Sequence, residues 1–198
     1  MKQSGLLNEL VQNLCCLPGV GPKSAQRMAF YLLQRNRDGG RHLGQVLNLA
    51  MERIGYCLEC RTFSETEQCE ICADPRRDPE LLCVVENAAD VWQIDQATHF
   101  KGKYFVLHGR LSPLDGIGPE QLGIDQLEQQ LKTGCIKEII LATNSTIEGQ
   151  ATAHFISELA QKHTIRATRI ASGIPMGGEL EFIDSGTLVH AFNGRRDF

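Results

Sequence analysis

Four cysteines within sixteen residues are the strongest chemical signal in this sequence. They form two Cys-x2-Cys pairs separated by eight residues: Cys57, Cys60, Cys69 and Cys72. Two such pairs supply four thiolates on tight turns, a ligand set that suits a tetrahedral Zn²⁺ ion. Because four protein ligands leave no position for water or substrate, the pattern predicts one structural zinc ion per chain rather than a catalytic one.

The other four cysteines carry a weaker signal. No apolar run approaches the length of a membrane span, and the sequence start, Met1-Lys2-Gln3-Ser4-Gly5, lacks the pattern of a secretion signal. We therefore expect a cytoplasmic protein without membrane contact, in which thiols stay reduced. In that setting the remaining cysteines are predicted to be small buried apolar residues rather than disulfides: Cys15, Cys16, Cys83 and Cys135.

A second chemical pattern is the turn at 17–23, in which Gly19 and Gly21 stand two residues apart. Glycines let backbone amides approach a phosphate closely, and the N-terminus of a following helix adds partial positive charge. Lys23 and Arg27 are four residues apart, so on a helix they share one face beside those amides. The pattern predicts binding to the nucleic-acid backbone without reading bases. A plain helical corner with solvated charges is the alternative.

Helices must position this turn. Apolar residues at helical spacing predict helices over about 4–15 and from Pro22 through Leu33. Gly39 and Gly40 predict a break before a third helix at 41–54. A helix, a Gly-x-Gly turn and a second helix resemble the helix-hairpin-helix motifs that bind DNA.

The pattern of apolar residues changes at residue 80. Short apolar segments alternate with helical patterns, which predicts a parallel sheet in an α/β domain. Strands are expected at 81–85, 104–107, 138–143 and 164–171, with helices at 88–97, 124–133, 147–162 and 184–193. Trp92 is predicted to be a packing residue within this domain.

Two of these segments resemble the Toprim domain of topoisomerases and primases. The first is the strand that leads into Glu86, and the second is 139–149, which matches the Asp-x-Asp-x-x-Gly frame of that fold. In catalytic Toprim members a Glu and two Asp hold Mg²⁺ for phosphoryl chemistry. Here Asn144 and Thr146 stand at the two Asp positions, which leaves only Glu86 and Glu148 as carboxylates. This depleted ligand set predicts a Toprim scaffold without catalysis that serves as an acidic docking surface.

Charge is distributed unevenly along the chain, whose formal net charge is −4. Residues 1–50 hold six basic and two acidic residues, whereas residues 80–198 hold ten basic and fifteen acidic ones. Residues 51–79 hold seven acidic and four basic residues, which disfavours a DNA-reading role for the cysteine segment. The asymmetry indicates a basic nucleic-acid module joined to an acidic module that meets something else.

The order of these modules resembles the RecR family of bacterial recombination mediator proteins. The similarity runs along nearly the whole chain, including 16–30, the cysteine quartet, 111–119, 141–144 and 173–180. It implies a multidomain α and α/β fold with an N-terminal helix-hairpin-helix, a small four-cysteine zinc knuckle, a Toprim-like parallel α/β domain and a C-terminal tail helix. The expected bounds are 1–54, 55–79, 80–175 and 176–198, the last an oligomerisation segment.

The resemblance also implies function. RecR-like proteins are non-enzymatic DNA-repair factors that act with RecO and RecF to help RecA load onto gapped DNA coated by single-strand-binding protein. They assemble as dimers and ring-shaped tetramers, bind single- and double-stranded DNA, and would be cytoplasmic and nucleoid-associated. On this basis we expect the acidic face near the strand ends to contact partner proteins through Glu86, Asp115, Asn144 and Glu148.

Two other classes of function are weighed against this interpretation. A Mg²⁺-dependent Toprim nuclease or primase-like enzyme would need the Asp pair that the sequence lacks. A zinc-dependent transcription regulator would need base-reading side chains on a recognition helix, and the second predicted helix has an apolar inner face instead.

Overall fold

A computed structural model describes residues 5–171 and 173–195. Residue 4, at the start of the first predicted helix, and residues 196–198, at the end of the expected C-terminal segment, lie outside the described residues. The chain divides into two compact units, Met1–Ile54 and Gly55–Phe198.

The N-terminal unit consists of three helices. Helix α1 spans Gly5–Leu14, α2 spans Pro22–Arg35 and α3 spans Arg37–Arg53. Pro22 stands at the start of α2, where its missing N–H group leaves no helical hydrogen bond unmade. Within these helices only Ala25 and Ala29 are buried, so this unit has a very small core.

The predicted break at Gly39 and Gly40 is wrong. Helix α3 begins at Arg37 and runs through both glycines, because Asn36 caps it: the Asn36 Oδ1 atom accepts a hydrogen bond from the Gly39 N–H group at 2.9 Å. A side chain at position 39 would overlap the Asn36 amide. Gly39 therefore permits the cap at the start of the helix rather than separating two helices.

The C-terminal unit begins with the cysteine segment. Strands β1 (Gly55–Tyr56) and β2 (Phe63–Ser64) pair antiparallel, and a short helix α4 covers Glu70–Ala73. The elements that follow are β3 (Asp78–Val85), α5 (Ala88–Thr98), β4 (Gly102–Val106), α6 (Ile124–Lys132), β5 (Glu138–Ala142), α7 (Ile147–Lys162) and β6 (Arg166–Arg169).

Strands β3 to β6 form a parallel sheet in the order β4-β3-β5-β6. The chain passes from β3 to its neighbour on one side and then crosses to β5 on the other side. The strand order therefore reverses at β3 and β5, and the carboxyl ends of these two strands form the crevice where α/β sheets place their sites.

Alternate residues of β3 point to opposite faces of the sheet. Leu82 and Val84 join one apolar cluster with residues of α6 and α7, such as Leu127 and Ile156. Cys83 and Val85 join a second cluster on the other face, which includes Val91 of α5. Helices thus cover both faces, as the predicted α/β architecture requires.

The C-terminal segment holds a 3-10 turn at Leu180–Phe182 and helix α8 at Ser185–Asn193. Asp184 caps α8, with its Oδ1 atom accepting from the Thr187 N–H group at 2.9 Å. None of the residues of α8 is buried.

Several predictions about single side chains are wrong. Of the four cysteines outside the quartet, only Cys83 is buried, whereas Cys16 and Cys135 are exposed and Cys15 is intermediate. Trp92 is 69 % exposed on α5 and is not a packing residue. Across the described residues we find no helix with the length and apolar character needed to cross a membrane.

Candidate metal centre and interaction surfaces

The four cysteines of the quartet converge in the C-terminal unit. The Sγ atoms of Cys57, Cys60, Cys69 and Cys72 all lie within 4.8 Å of one another, and all four residues are buried. Cys57 and Cys60 lie in the loop of the hairpin β1–β2. Cys69 directly precedes α4, and Cys72 lies within that helix. Four convergent sulfurs fit one structural Zn²⁺ ion, as the spacing predicts.

Protonation of these thiols is coupled. The pKa of the Cys69 thiol is lowered because the Cys60 and Cys72 thiols donate hydrogen bonds to it. Conversely, the pKa values of Cys60 and Cys72 are raised, since these thiols hold the protons that they donate and burial disfavours their charged forms. Zinc binds thiolates, so loading the site must release these protons, and zinc affinity falls as the pH falls.

The cysteine segment is bonded to the sheet that follows it. The Val106 N–H group of β4 donates to the Cys60 carbonyl at 2.9 Å, and Gln130 of α6 donates to the Glu59 carbonyl at 2.6 Å. The Arg61 guanidinium donates to the Leu122 carbonyl and lies 5.6 Å from the centre of the Phe105 ring. These bonds hold the metal centre and the α/β sheet as one structural unit.

The glycine turn presents an open helix start. Gly19 has a φ of +77°, a conformation that favours glycine. Gly21 precedes α2 in extended conformation and forms no side-chain cap. The first N–H groups of α2 are therefore available, because the helical bonds begin with the one from Ala25 to the Gly21 carbonyl.

Lys23 and Arg27 lie beside this helix start. Both side chains are exposed, and within the described residues neither forms an ion pair with a carboxylate. The turn thus combines free backbone donors, a helix N-terminus and two unpaired cations. An arrangement of this kind can hold a phosphate group.

Glu86 and Asn144 meet in the crevice where the strand order reverses. Glu86 follows β3 and is only 3 % exposed. Its Oε1 atom accepts from the Asn144 N–H group at 2.8 Å, and its Oε2 atom accepts from the Asn144 Nδ2 atom at 2.7 Å. Each carboxylate oxygen of Glu86 therefore accepts one hydrogen bond from the same asparagine.

Gly149 makes this pairing sterically possible. A side chain at position 149 would overlap the Asn144 carbonyl and come within 2.8 Å of the Glu86 Oε1 atom. Thr143 donates to the Gly149 carbonyl at 2.8 Å, and Thr146 accepts from the Gly149 N–H group at 3.1 Å to cap α7. From the sequence, Gly149 was predicted only as the glycine of the Toprim-like motif. In the structure, its backbone lies against the Asn144 carbonyl and the Glu86 carboxylate, where a larger residue would not fit.

The other two predicted partner residues lie in different settings. Glu148 is half-buried in the first turn of α7, next to the Glu86 pairing. Asp115 lies in an exposed loop, where its carboxylate accepts from the Ser112 hydroxyl at 2.6 Å. Glu86 itself exposes little surface, and its carboxylate is hydrogen-bonded to the exposed Asn144.

Comparison with known proteins decides the family. Four family models match in order: a RecR helix-hairpin-helix over 7–51, a RecR four-cysteine zinc finger domain over 54–74, a Toprim domain over 80–171 and a RecR C-terminal region over 173–196. A curated relative from Methylococcus capsulatus, recombination protein RecR, is 58 % identical over 198 residues, with both chains fully covered. The chain belongs to the RecR family.

A second RecR relative, also called a recombination protein, comes from Halorhodospira halophila. It is 59 % identical over 192 residues, which cover 97 % of this chain and 96 % of the relative. Membership in the family confirms the resemblance and the predicted order of helix-hairpin-helix, four-cysteine zinc finger and Toprim domain. Both names describe a role in recombination, and neither names an enzyme.

Proposed function

We propose that this chain is a recombination mediator that binds DNA through its N-terminal unit and acts without catalysis of its own. It would act as a homo-oligomer with RecO and RecF to promote RecA loading on gapped DNA. The observation that carries the DNA-binding proposal is the open start of α2, with Lys23 and Arg27 unpaired beside it.

This site matches the phosphate backbone rather than the bases. Backbone amides and flexible cations recognise phosphate oxygens, which carry no sequence information. Residues 1–50 hold six basic and two acidic residues, and this positive net charge favours binding to a polyanion. Binding should therefore accept many sequences and weaken steeply with salt.

A salt titration tests the DNA site. In the double variant Lys23→Ala with Arg27→Ala, we expect weaker binding to single- and double-stranded oligonucleotides and a salt slope that is reduced by about 2, since each phosphate contact contributes about 1. The matched control is Lys162→Ala with Arg166→Ala, which removes two exposed cations of the C-terminal unit. An unchanged slope in the first variant would remove Lys23 and Arg27 from the site.

We propose the absence of catalysis because few carboxylates remain near Glu86 that could bind a metal ion. Asn144 and Thr146 stand where a magnesium site of this kind needs carboxylates, and Asn144 is hydrogen-bonded to both oxygens of Glu86, so too few charged oxygen ligands remain for Mg²⁺. Incubation of plasmid DNA with the purified chain and Mg²⁺ should give no nicking. Nicking that Glu86→Gln abolishes would favour the nuclease alternative.

Self-assembly is proposed from the exposed apolar faces of the N-terminal unit. Several large apolar side chains of α2 and α3 are more than one-third exposed: Met28, Phe30, Tyr31, Leu33, Leu43, Val46, Leu47, Leu49 and Met51. A second copy of the chain would cover such faces, because large apolar surfaces mark contact sites. Light scattering of the full chain should give a mass above that of one copy, and a monomer at all concentrations would contradict this.

The partnership with RecO and RecF is proposed for the acidic C-terminal unit, near Asp115 and Glu148. A pull-down from native extract, with and without nuclease treatment, tests it. Recovery of RecO- or RecF-like proteins independent of DNA, reduced by Glu148→Lys with Asp115→Lys, supports the proposal. Their absence under both conditions would count against it.

A further inference from the structure

Three exposed aromatic side chains of the C-terminal unit lie on the hairpin β1–β2 and on α5. Tyr56 and Phe63 are paired across the hairpin β1–β2, with ring centres 5.4 Å apart and planes at 25°. Phe63 and Trp92 of α5 both line one open groove of about 570 Å³. We name Tyr56, Phe63 and Trp92 the aromatic row.

All three rings of the aromatic row are exposed, and the two on the hairpin are packed against His108. Tyr56 and Phe63 are each 58 % exposed, and Trp92 is 69 % exposed. The His108 ring packs against Tyr56 with ring centres 4.8 Å apart, and its Nε2 atom donates to the Arg61 carbonyl at 2.5 Å. Rigid exposed aromatic side chains are typical anchors of protein interfaces, because they bury a large area with little loss of rotamer freedom.

Carboxylates flank both ends of the aromatic row. Glu65 and Glu70 line the groove between the hairpin and α5, and no Lys or Arg of the described chain lines it. On the other side, a cavity of about 480 Å³ is lined by Tyr56, Glu120 and Asp125.

These carboxylates are unpaired within the described residues: Glu65, Glu70, Glu120 and Asp125 form no side-chain hydrogen bond or ion pair there. Among the residues that the structure describes, Arg61 is the only Lys or Arg that lines the second cavity, and its guanidinium is directed to the Leu122 carbonyl. Four thiolates around a zinc ion would add further negative charge beneath the hairpin.

We propose that the aromatic row is a docking site for a basic segment of a partner protein. Lys or Arg side chains of that segment would reach the carboxylates at both ends, and their aliphatic stems would pack on the rings, as these side chains do on apolar surfaces. DNA is disfavoured here, because its phosphates would meet an acidic surface. The site is formed by residues of the C-terminal unit alone, whereas the DNA-binding turn belongs to the N-terminal unit, so the proposal stands whether or not that turn binds DNA.

The fluorescence of Trp92 can report on binding at this site, since Trp92 is the single tryptophan of the chain. The zinc-loaded full chain is titrated, in about 150 mM NaCl, with a short peptide of alternating Lys and Leu, with its Glu and Leu counterpart, and with oligo-dT. We expect a saturable blue shift of Trp92 emission with the basic peptide alone. The variant that carries Glu65→Gln, Glu70→Gln, Glu120→Gln and Asp125→Asn should bind this peptide about tenfold more weakly, since each exposed ion pair contributes only a fraction of a kcal/mol.

The matched control carries Glu9→Gln, Glu158→Gln, Glu179→Gln and Glu181→Gln, which removes four exposed carboxylates outside both cavities and should leave the affinity unchanged. Zinc content and DNA affinity are measured in parallel and should stay at the wild-type level in every variant. A failure of the DNA-binding proposal can therefore be distinguished from a failure of the docking proposal. Equal binding of both peptides, a shift with oligo-dT, or no shift would overturn the proposal. So would an emission maximum that moves to the red on dilution, which would assign the row to a second copy of the chain.

Discussion

The two units of this chain use apolar residues in opposite ways. The C-terminal unit builds a parallel sheet with apolar clusters on both faces, whereas the N-terminal helices bury only Ala25 and Ala29 and leave many large side chains exposed. The charges differ as well, because basic residues dominate the first fifty positions and acidic residues dominate after position 80. The C-terminal unit thus has the packing of a self-sufficient scaffold, and the N-terminal unit has surfaces suited to contacts with other molecules.

Zinc removal should give the largest difference between the units. The metal centre is bonded to the sheet, so Cys57→Ser or chelation of zinc should unfold the cysteine segment and destabilise the sheet, with a loss on the order of 10 kcal/mol of zinc-binding free energy. Thermal unfolding followed by circular dichroism measures this. Cys135→Ser is the control, since that thiol is exposed and outside the quartet. An apo form as stable as the zinc form would refute the structural role of the metal.

Truncation of leucines sharpens the comparison. Leu127 of α6 is fully buried, so Leu127→Ala should lower the free energy of unfolding by about 2–5 kcal/mol. Leu47 of α3 is 51 % exposed, and Leu47→Ala should change the stability of the dilute chain by less than about 1 kcal/mol. Urea denaturation distinguishes the two variants. Equal losses would show that the N-terminal unit has a core like that of its neighbour.

Two glycines offer a third test. Gly149→Ala places a side chain against the Asn144 carbonyl and should destabilise the chain by about 2–4 kcal/mol. Gly44 lies inside α3 with nothing within 4 Å of an added side chain, so Gly44→Ala should stabilise its helix by roughly 0.5–1 kcal/mol. The two substitutions should therefore change the thermal stability in opposite directions. A loss of stability in Gly44→Ala would indicate that another surface lies close to that face of α3.

The smallest effect concerns pH. The pKa of Asp95 is lowered because the Arg77 guanidinium donates two hydrogen bonds to its carboxylate, at 2.6 and 3.0 Å, and the Tyr104 hydroxyl donates a third. A carboxylate with a lowered folded-state pKa adds stability above its unfolded pKa of about 3.9 and loses it as the pH falls through the folded value.

Asp95→Asn should therefore reduce stability by on the order of 1 kcal/mol at pH 7, and the difference from wild type should shrink below about pH 4. Urea denaturation at several pH values measures it. Asp38→Asn is the control, because the Asp38 side chain is 95 % exposed and its pairing with Arg41 lies on the surface. A difference that stays constant with pH would exclude Asp95 as its source.

Periodic patterns predicted most of the fold, and local side-chain bonds explain what they missed. Helices α1, α2 and α6 lie within a few residues of their predicted bounds because a repeating apolar face defines each one. Helices α5 and α7 also match their predicted bounds, although their apolar faces are less one-sided. The start of α3 depends on one bond between Asn36 and Gly39, which a rule that glycines break helices cannot anticipate.

Among the candidate sites, the one formed by residues close in sequence was predicted, whereas the one that the fold brings together was not. The cysteine spacing was sufficient to predict the metal centre, since all four ligands lie close in the chain. The pairing of Glu86 with Asn144 joins residues 58 positions apart, and only the sheet order brings them together. The exposure of Trp92 was missed because a lone large aromatic residue is more often buried, and its helix has no strongly one-sided apolar pattern.

The bond between Val106 and Cys60 has a consequence for aggregation. Strand β4 is an outer strand of the sheet, and the free edge of such a strand can pair with the edge of another molecule. The Cys60 carbonyl accepts the outward N–H group of Val106, so the zinc finger covers part of this edge. The opposite edge, β6, is only four residues long and carries Arg166 and Arg169. Loss of zinc would therefore uncover a strand that can recruit further copies, and the apo chain should precipitate through intermolecular strand pairing.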